Sequence, residues 1–385
     1  MLSRYFLKMP SAVYSGKDAI SQMKTIIPVH SRKVALFTDK GIENSGILEK
    51  PLAVLREMGK TVILFDQLAP EPTYDQVQAV IDEFRDCGAE YIVAIGGGSV
   101  MDTAKLASIL VTDQYSVRDL LEHPEWGHKQ ISSLMIPTTA GTGSEATPNS
   151  IVAVPEKELK VGIVNPEMIA DAVILDADMT GGLPRKIAAA TGVDALAHAI
   201  ECFTSKKANY FSDMLALEAL DLIMNHIEDA CEQPENERAR MAMLIGAFYA
   251  GAAITASGTT AVHALSYPLG GKYHIPHGVA NAMLLVPVLR FNRPVCSERL
   301  AAVYDRVAHQ EGNLTEEKEK ADWVIARIGS IVRHLDIPEN VREFGVPEND
   351  LEKLVSAGMQ VQRLLANNMR TVTAEDARKL YLEIL

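Results

Sequence analysis

The chain has 385 residues and a mass of 42.0 kDa, more than one ordinary core and enough for two domains. Hydrophobic residues make up 48% and charged residues 23%, the composition of a folded protein and not of a disordered one. Against 50 Asp and Glu stand 37 Lys and Arg, and the net charge of −13 argues against nucleic acid or an anionic membrane as partner.

Met1 to Pro10 lacks the apolar core and small-residue cleavage site of a signal peptide. From there to about residue 180, short β-branched runs alternate with amphipathic stretches. The runs at Lys33–Thr38, Thr61–Phe65, Tyr91–Ile95, Leu134–Pro137 and Ala172–Leu175 predict strands. Helical spacing predicts helices at Lys17–Ile27, Leu48–Met58, Tyr74–Cys87 and Val100–Val111. Strands apolar on both faces, alternating with helices, imply a mostly parallel sheet covered by helices.

Beyond the Gly181-Gly182-Leu183-Pro184 break, regular strand patterning is absent. Pro184 suits the start of a helix with its body at Lys186–Thr204. Further helical patterns occupy Asp213–Cys231, Glu237–Ser257, Val279–Phe291, Ser297–Gln310, Glu317–His334, Asp350–Ala366 and Ala374–Leu385. Thr373 and Asp376 form a capping arrangement for the last. The expected architecture is an α/β domain over residues 1–181 and an all-α domain over 182–385. No apolar run approaches the ~20 residues that span a bilayer. Cys87, Cys202, Cys231 and Cys296 are scattered without a CxxC pair, as in a reduced cytoplasmic protein.

Two segments of the first half suit phosphate. Gly96-Gly97-Gly98-Ser99 follows a predicted strand and opens a helix, so backbone N–H groups can approach a diphosphate without Cβ interference. It is not the spaced G-x-G-x-x-G fingerprint, and by itself it could be a tight turn. Thr138 to Thr147 holds five hydroxyls and two glycines, a donor-rich loop after the next strand. Two such loops after successive parallel strands lie at one sheet edge, where doubly wound folds bind ligands. Asp39 ends an early strand; it could accept from a ribose 2′-OH and repel a 2′-phosphate, or simply cap the following turn.

The second half carries a metal-type constellation. Asp194 and His198 stand four apart on a predicted helix, on one face and about 6 Å apart at Cβ. Three of ten histidines, His263, His274 and His277, fall within 15 residues. One carboxylate and two or three imidazoles suit Zn²⁺ or Fe²⁺ and are too nitrogen-rich for Ca²⁺ or Mg²⁺. Taken alone, each of these histidines would ordinarily be a buried, hydrogen-bonded core residue; the Asp/His helical pair and the apolar surroundings of both segments weigh against that for the set.

With GGGSVMDTAK at Gly96–Lys105, PTTAGTGSEAT at Pro137–Thr147, ATGVDALAHAIE at Ala190–Glu201 and VHALSYPLGGKYHIPHGVAN at Val262–Asn281, the chain resembles the iron-containing (group III) alcohol dehydrogenases over roughly residues 5 to 385. The resemblance implies a Rossmann-like dinucleotide-binding α/β domain and an all-helical metal domain, the two-domain plan of dehydroquinate synthase, with the active site in the cleft between them. It implies hydride transfer between NAD, or NADP, and a small alcohol or aldehyde whose oxygen is bound by Fe²⁺ or Zn²⁺. Carried over, the metal ligands are Asp194, His198, His263 and His277. The cofactor contacts are Gly97, Gly98, Ser99, Thr138, Thr139, Thr142, Thr147 and Lys160, with Asp39 favouring NAD. A homodimer or larger homo-oligomer is also implied.

One position departs from the pattern. Many members carry HxxxH in the third motif, the second His serving in proton transfer; here Tyr267 takes that place. A relay through Tyr267, His274 or water is then expected, or a shift away from simple primary alcohols. Glycerol dehydrogenase-like activity and reduction of functionalised aldehydes (phosphonate, sulfonate or hydroxyacid) stand as alternatives. A dehydroquinate synthase-like lyase fits less well, because Ala190–Asn281 is poor in Arg and Lys. A catalytically idle dinucleotide-binding regulator would be expected to carry a broken ligand set.

Overall fold

The computed structural model describes residues 5–112, 114–309 and 313–385. The chain divides into two compact units. One comprises Lys8–Leu183 with Pro234–Leu244; the other comprises the N-terminal stretch through Leu7, Pro184–Gln233 and Ile245–Leu385.

Among the described residues, eight strands run through the first unit: β1 (Ala12–Ser15), β2 (Lys33–Phe37), β3 (Thr61–Phe65), β4 (Tyr91–Gly96), β5 (Ser133–Pro137), β6 (Asn149–Val154), β7 (Leu159–Val164) and β8 (Ala172–Leu175). Six of them form one sheet in the order β1-β8-β5-β4-β2-β3, with every pairing parallel. All residues of β4 and β5 are buried, as strands covered on both faces must be, and their near-continuous apolar sequence follows from that. The Tyr74–Cys87 helix leads into β4 and opens with a capping box between Thr73 and Gln76. On one sheet face Val34, Leu36, Val93, Ile95, Leu134 and Ile136 pack with Ile20, Met23 and Leu55 into a single core cluster. Because β3 lies on one side of β2 and β4 on the other, the winding reverses between β2 and β4. The C-terminal ends of these two strands therefore frame the natural ligand position of such a sheet.

The second unit is helical. It contains Arg185–Phe203, Tyr210–Glu232, Ala261–Tyr273, His277–Val307, Glu317–His334, Leu351–Gln360 and Ala374–Leu382, with the part of Glu237–Ser257 that follows Leu244. Thr373 and Asp376 make the predicted capping box. The Tyr381 hydroxyl, fully buried, donates to Leu265 O at 2.7 Å and ties the last helix to Ala261–Tyr273. Among the described residues only Glu237–Ser257 is long and apolar enough to cross a membrane. Its apolar window is 61% buried within the protein, the pattern of a core helix.

Several elements differ from the sequence-based expectation. The predicted Lys17–Ile27 helix is a 3₁₀ turn (Ala19–Gln22) followed by one α-turn (Met23–Ile26). Strand β1 and the antiparallel β6–β7 hairpin were not anticipated; β6 alternates half-buried and buried residues over only six positions. The segment before His274 forms a buried helix, Ala261–Tyr273, despite Pro268 within it. Val279–Phe291 and Ser297–Gln310 belong to one helix, His277–Val307, kinked at Cys296 (φ −129°, ψ 17°) two residues after Pro294. The last position of the latter prediction, Gln310, lies outside the described residues, as do the first four of Met1 to Pro10.

Candidate metal centre and nucleotide loops

Three helices of the second unit converge at one point. Arg185–Phe203 brings Asp194 and His198, one turn apart. Ala261–Tyr273 brings His263 in its first turn, and His277–Val307 opens with His277 itself, after Pro276 as N-cap. The approach of the first and third is permitted by Gly278, where a Cβ would stand 2.1 Å from Ala190 O. One ligand atom from each of Asp194, His198, His263 and His277 lies within 4.8 Å of all the others. From Asp194, His277 Nε2 is 3.6 Å away, His263 Nε2 3.7 Å and His198 Nδ1 4.0 Å. Ligands about 2.0–2.2 Å from one shared ion have separations of this size.

Asp194, His198 and His263 are buried and His277 is partly exposed, so the group is closed on one side and reachable on the other. Burial opposes ionisation of Asp194, yet the charges of His198, His277 and His263 and a hydrogen bond from Asn281 outweigh it, bringing the carboxyl down to about 2. His263 is also desolvated, but the adjacent Glu201 and Asp194 carboxylates raise its pKa above the ordinary imidazole value.

Two residues that sequence reasoning did not single out belong to this cluster. Glu201 accepts hydrogen bonds from His263 Nδ1, Thr260 Oγ1 (2.5 Å) and Val262 N (2.7 Å). Asn281 Nδ2 lies 2.6 Å from Asp194 Oδ1, 3.1 Å from His263 Nε2 and 3.2 Å from His277 Nε2. Asn281 Oδ1 is buried with no hydrogen-bond partner among the described residues. Their signals were positional: Glu201 follows Asp194 by seven and His198 by three, and Asn281 follows His277 by four. The Tyr267 ring sits 6.1 Å from the His277 ring. His274 stays outside the group, exposed at the end of its helix in a left-handed conformation (φ 55°).

In the α/β unit, Gly96 pairs with Pro137, so the glycine turn and the hydroxyl-rich loop leave the sheet side by side. Thr138 N donates to Gly96 O at 3.0 Å. A Cβ on Gly98 would meet Thr142 Cγ2 at 2.8 Å, and one on Gly97 would meet Thr139 Oγ1 at 3.6 Å. Gly97, Gly98, Thr138, Thr139 and Thr142 are thus one surface, and Gly98 begins the helix Gly98–Ile109. Thr138 Oγ1 is buried and has no hydrogen-bond partner among the described residues. Ser99 Oγ accepts from Glu71 N (3.1 Å), and the Glu71 carboxylate pairs with Lys160 at 2.6 Å, linking two more of the named residues to the glycine turn. Asp39 caps the Lys40–Asn44 helix by accepting from Ile42 N at 2.9 Å. Thr147 is held inside: its hydroxyl accepts from Lys105 Nζ (3.3 Å). Lys105, fully buried, also reaches Ser144 O at 3.0 Å and Asp102 Oδ1 at 2.9 Å, and so ties the second loop to the helix of the first.

Comparison with known proteins matches both halves of the chain. Residues 10–177 match the family described as iron-containing alcohol dehydrogenase, and residues 188–385 the Fe-containing alcohol dehydrogenase family, C-terminal. Long-chain-alcohol dehydrogenase 1 of Geobacillus thermodenitrificans is 32% identical over 376 residues, covering 97% of this chain and 94% of that protein. Sulfoacetaldehyde reductase of Bilophila wadsworthia is 33% identical over 367 residues, covering 93% and 92%. Among solved structures, a 1,3-propanediol oxidoreductase superposes with a TM-score of 0.92 at 30% identity over the whole of both chains.

Proposed function

The chain belongs to the iron-containing alcohol dehydrogenase family and is an oxidoreductase of that type, and from this premise we propose that it interconverts a small alcohol or diol with its aldehyde or ketone, using NAD(H) and a divalent metal, Fe²⁺ or Zn²⁺. The convergence of Asp194, His198, His263 and His277 carries this reading. One carboxylate and three imidazoles are the donors such ions take, and no further protein ligand need close the site. When bound, the ion supplies a Lewis acid to the substrate oxygen and the nicotinamide supplies hydride exchange.

The remaining work falls to side chains and backbone of this protein. The Gly97–Gly98 turn offers N–H groups at a helix start to a diphosphate, and Thr138 adds a buried hydroxyl that needs a partner. Ser99, Thr139 and Thr142 line the same surface, with Lys160 beyond Ser99 and Thr147 within the supporting loop. Asp39 spends one oxygen on Ile42 N and offers the other to a ribose 2′-OH, which favours NAD over NADP. We assign proton exchange with the substrate hydroxyl to Tyr267, whose ring lies 6.1 Å from that of His277, and keep His274 as the alternative. A phenol O–H acts here as acid in the reductive direction.

Relatives at 32–33% identity act on substrates as different as long-chain alcohols and sulfoacetaldehyde, so the reading is at the level of substrate class, functionalised aldehydes included. Four free cysteines suit a cytoplasmic location. Exposed Tyr210, Phe211 and Met214 suit a homo-oligomer. The test is turnover of a panel of short, diol and sulfonate- or phosphonate-bearing aldehydes with NADH and NADPH on Fe²⁺- or Zn²⁺-loaded protein. Asp194→Asn should lose both bound metal, by elemental analysis, and NADH-linked turnover. Full retention of turnover by metal-free Asp194→Asn protein would defeat the reading.

A further inference from the structure

We propose that Glu201 is a positioning residue of the metal site, holding His263 in one tautomer and one orientation and setting by its charge how tightly the cluster retains a divalent cation. The inference rests on reading Asp194, His198, His263 and His277 as that site.

Glu201 is 2% exposed, yet it is far from an idle buried acid. It lies on the same helix face as Asp194 and His198, seven and three residues on. Its carboxylate faces the start of the Ala261–Tyr273 helix, whose N-cap, Thr260, makes no side-chain cap of its own. One carboxylate oxygen, Oε1, accepts from both Thr260 Oγ1 and Val262 N, so Glu201 caps that helix from a neighbouring one. The other, Oε2, accepts from His263 Nδ1. With its Nδ1 proton committed there, the ring turns Nε2 toward Asp194 Oδ1, 3.7 Å away, as a lone pair. A single side chain thus fixes the backbone that carries His263 and the face the imidazole presents.

Charge gives Glu201 a second effect. A divalent ion among Asp194 and three neutral imidazoles leaves the site at +1, and the Glu201 carboxylate one residue away brings it to zero. In a region without solvent that compensation is little screened. Glutamine keeps the shape and one acceptor but removes the charge; aspartate keeps the charge but withdraws it from His263.

The test uses metal-free full-length protein and Zn²⁺ itself, titrated in competition with a chromophoric chelator. Alongside it run the visible spectrum of Co²⁺-loaded protein and the Tm of the metal-free form. Glu201→Gln is expected to weaken Zn²⁺ binding roughly 10- to 100-fold and to alter the Co²⁺ bands, the scale found for outer partners of ligating histidines. Thr260→Ala removes a cap partner and leaves the His263 contact, so it should lower Tm while keeping Zn²⁺ affinity within about threefold. Zn²⁺ affinity of Glu201→Gln within about twofold of the parent, with an unchanged Co²⁺ spectrum, overturns the proposal. So does equal loss of affinity in Thr260→Ala, which would make Glu201 a helix cap and nothing more. If Glu201→Gln does not fold, Glu201→Asp, which keeps the charge but withdraws it from His263, decides by the Co²⁺ spectrum: altered bands are expected, and an unchanged spectrum overturns the positioning role. Failure of the parent protein to take up Zn²⁺ or Co²⁺ would instead strike the metal-site reading.

Discussion

Glu145 sits in the hydroxyl-rich loop with its carboxyl wholly removed from water. Burial raises its pKa to about 7, and its own backbone N–H and the charge of Lys105 offset that only in part. Between the unfolded value of 4.5 and about 7, the folded protein holds a proton that the unfolded chain has released. Stability from this group is therefore complete below about pH 4.5, declines as pH rises to about 7, and is flat above, a change on the order of 3 kcal/mol. Urea unfolding at pH 5 and pH 8 measures it as the difference between the parent and Glu145→Gln, in which this part of the slope should vanish. An identical slope in both would mean that Glu145 does not titrate there. The same scale shows what could be read in advance. The Asp194/His198 pair is legible because a spacing of four on a helix puts the carboxylate and the imidazole on one face. Glu201 and Asn281 are not, since a lone acid or amide has the same letter whether it caps a helix, faces water or orients a ligand. Only the three-dimensional meeting of residues 60 to 90 apart in sequence gives them their contacts.

Helix and strand placement at the element scale turns on close approaches. Gly278 lets the His277 helix touch the Asp194 helix, and a Cβ there would overlap a backbone carbonyl that cannot swing aside. Gly278→Ala should cost about 1–3 kcal/mol and, because the helix start must retreat, weaken Zn²⁺ binding by tenfold or more. Thermal unfolding of metal-free protein and Zn²⁺ titration report the two effects separately; unchanged affinity would mean that the helices slide without moving His277. Gly98→Ala tests the other site. Its Cβ would press on Thr142, a side chain able to rotate, so stability should fall by less than about 1 kcal/mol while NADH affinity, read by fluorescence, falls at least tenfold. Long amphipathic elements such as Tyr74–Cys87 and Glu317–His334 were legible from periodicity and match to the residue. Ala261–Tyr273 was not: buried nearly all round, it has no polar stripe to betray a period, and Pro268, Gly270 and Gly271 read as a loop. The β6–β7 hairpin escaped for a related reason, six-residue strands joined by a Pro155–Lys157 turn offering too few alternations to stand out.

For the whole molecule, the organisation into two units predicts how ligands redistribute stability. The Asp194 group lies wholly in the helical unit, and the glycine turn and hydroxyl-rich loop wholly in the α/β unit. A ligand stabilises what it binds by RT ln(1 + [L]/Kd), about 2.7 kcal/mol at a hundred times Kd. Hydrogen exchange followed by peptide analysis can see where that energy goes. Chelation of the metal-loaded protein should raise exchange in peptides from 185–203, 261–273 and 277–291 and leave 91–109 unchanged; NADH should lower exchange in 91–109 and leave the other three unchanged. Residues 234–244 supply the decisive peptide. They fall between two helical-unit segments in sequence, but Arg240 Nη1 donates to Ala177 O at 2.5 Å and Met241 Sδ lies 3.8 Å from Ser15 Oγ, both in the α/β unit. Their exchange should follow NADH and ignore the chelator. Exchange that rises everywhere on chelation would mean the two units open as one cooperative body, and residues 234–244 following the metal would overturn their assignment to the sheet-bearing unit.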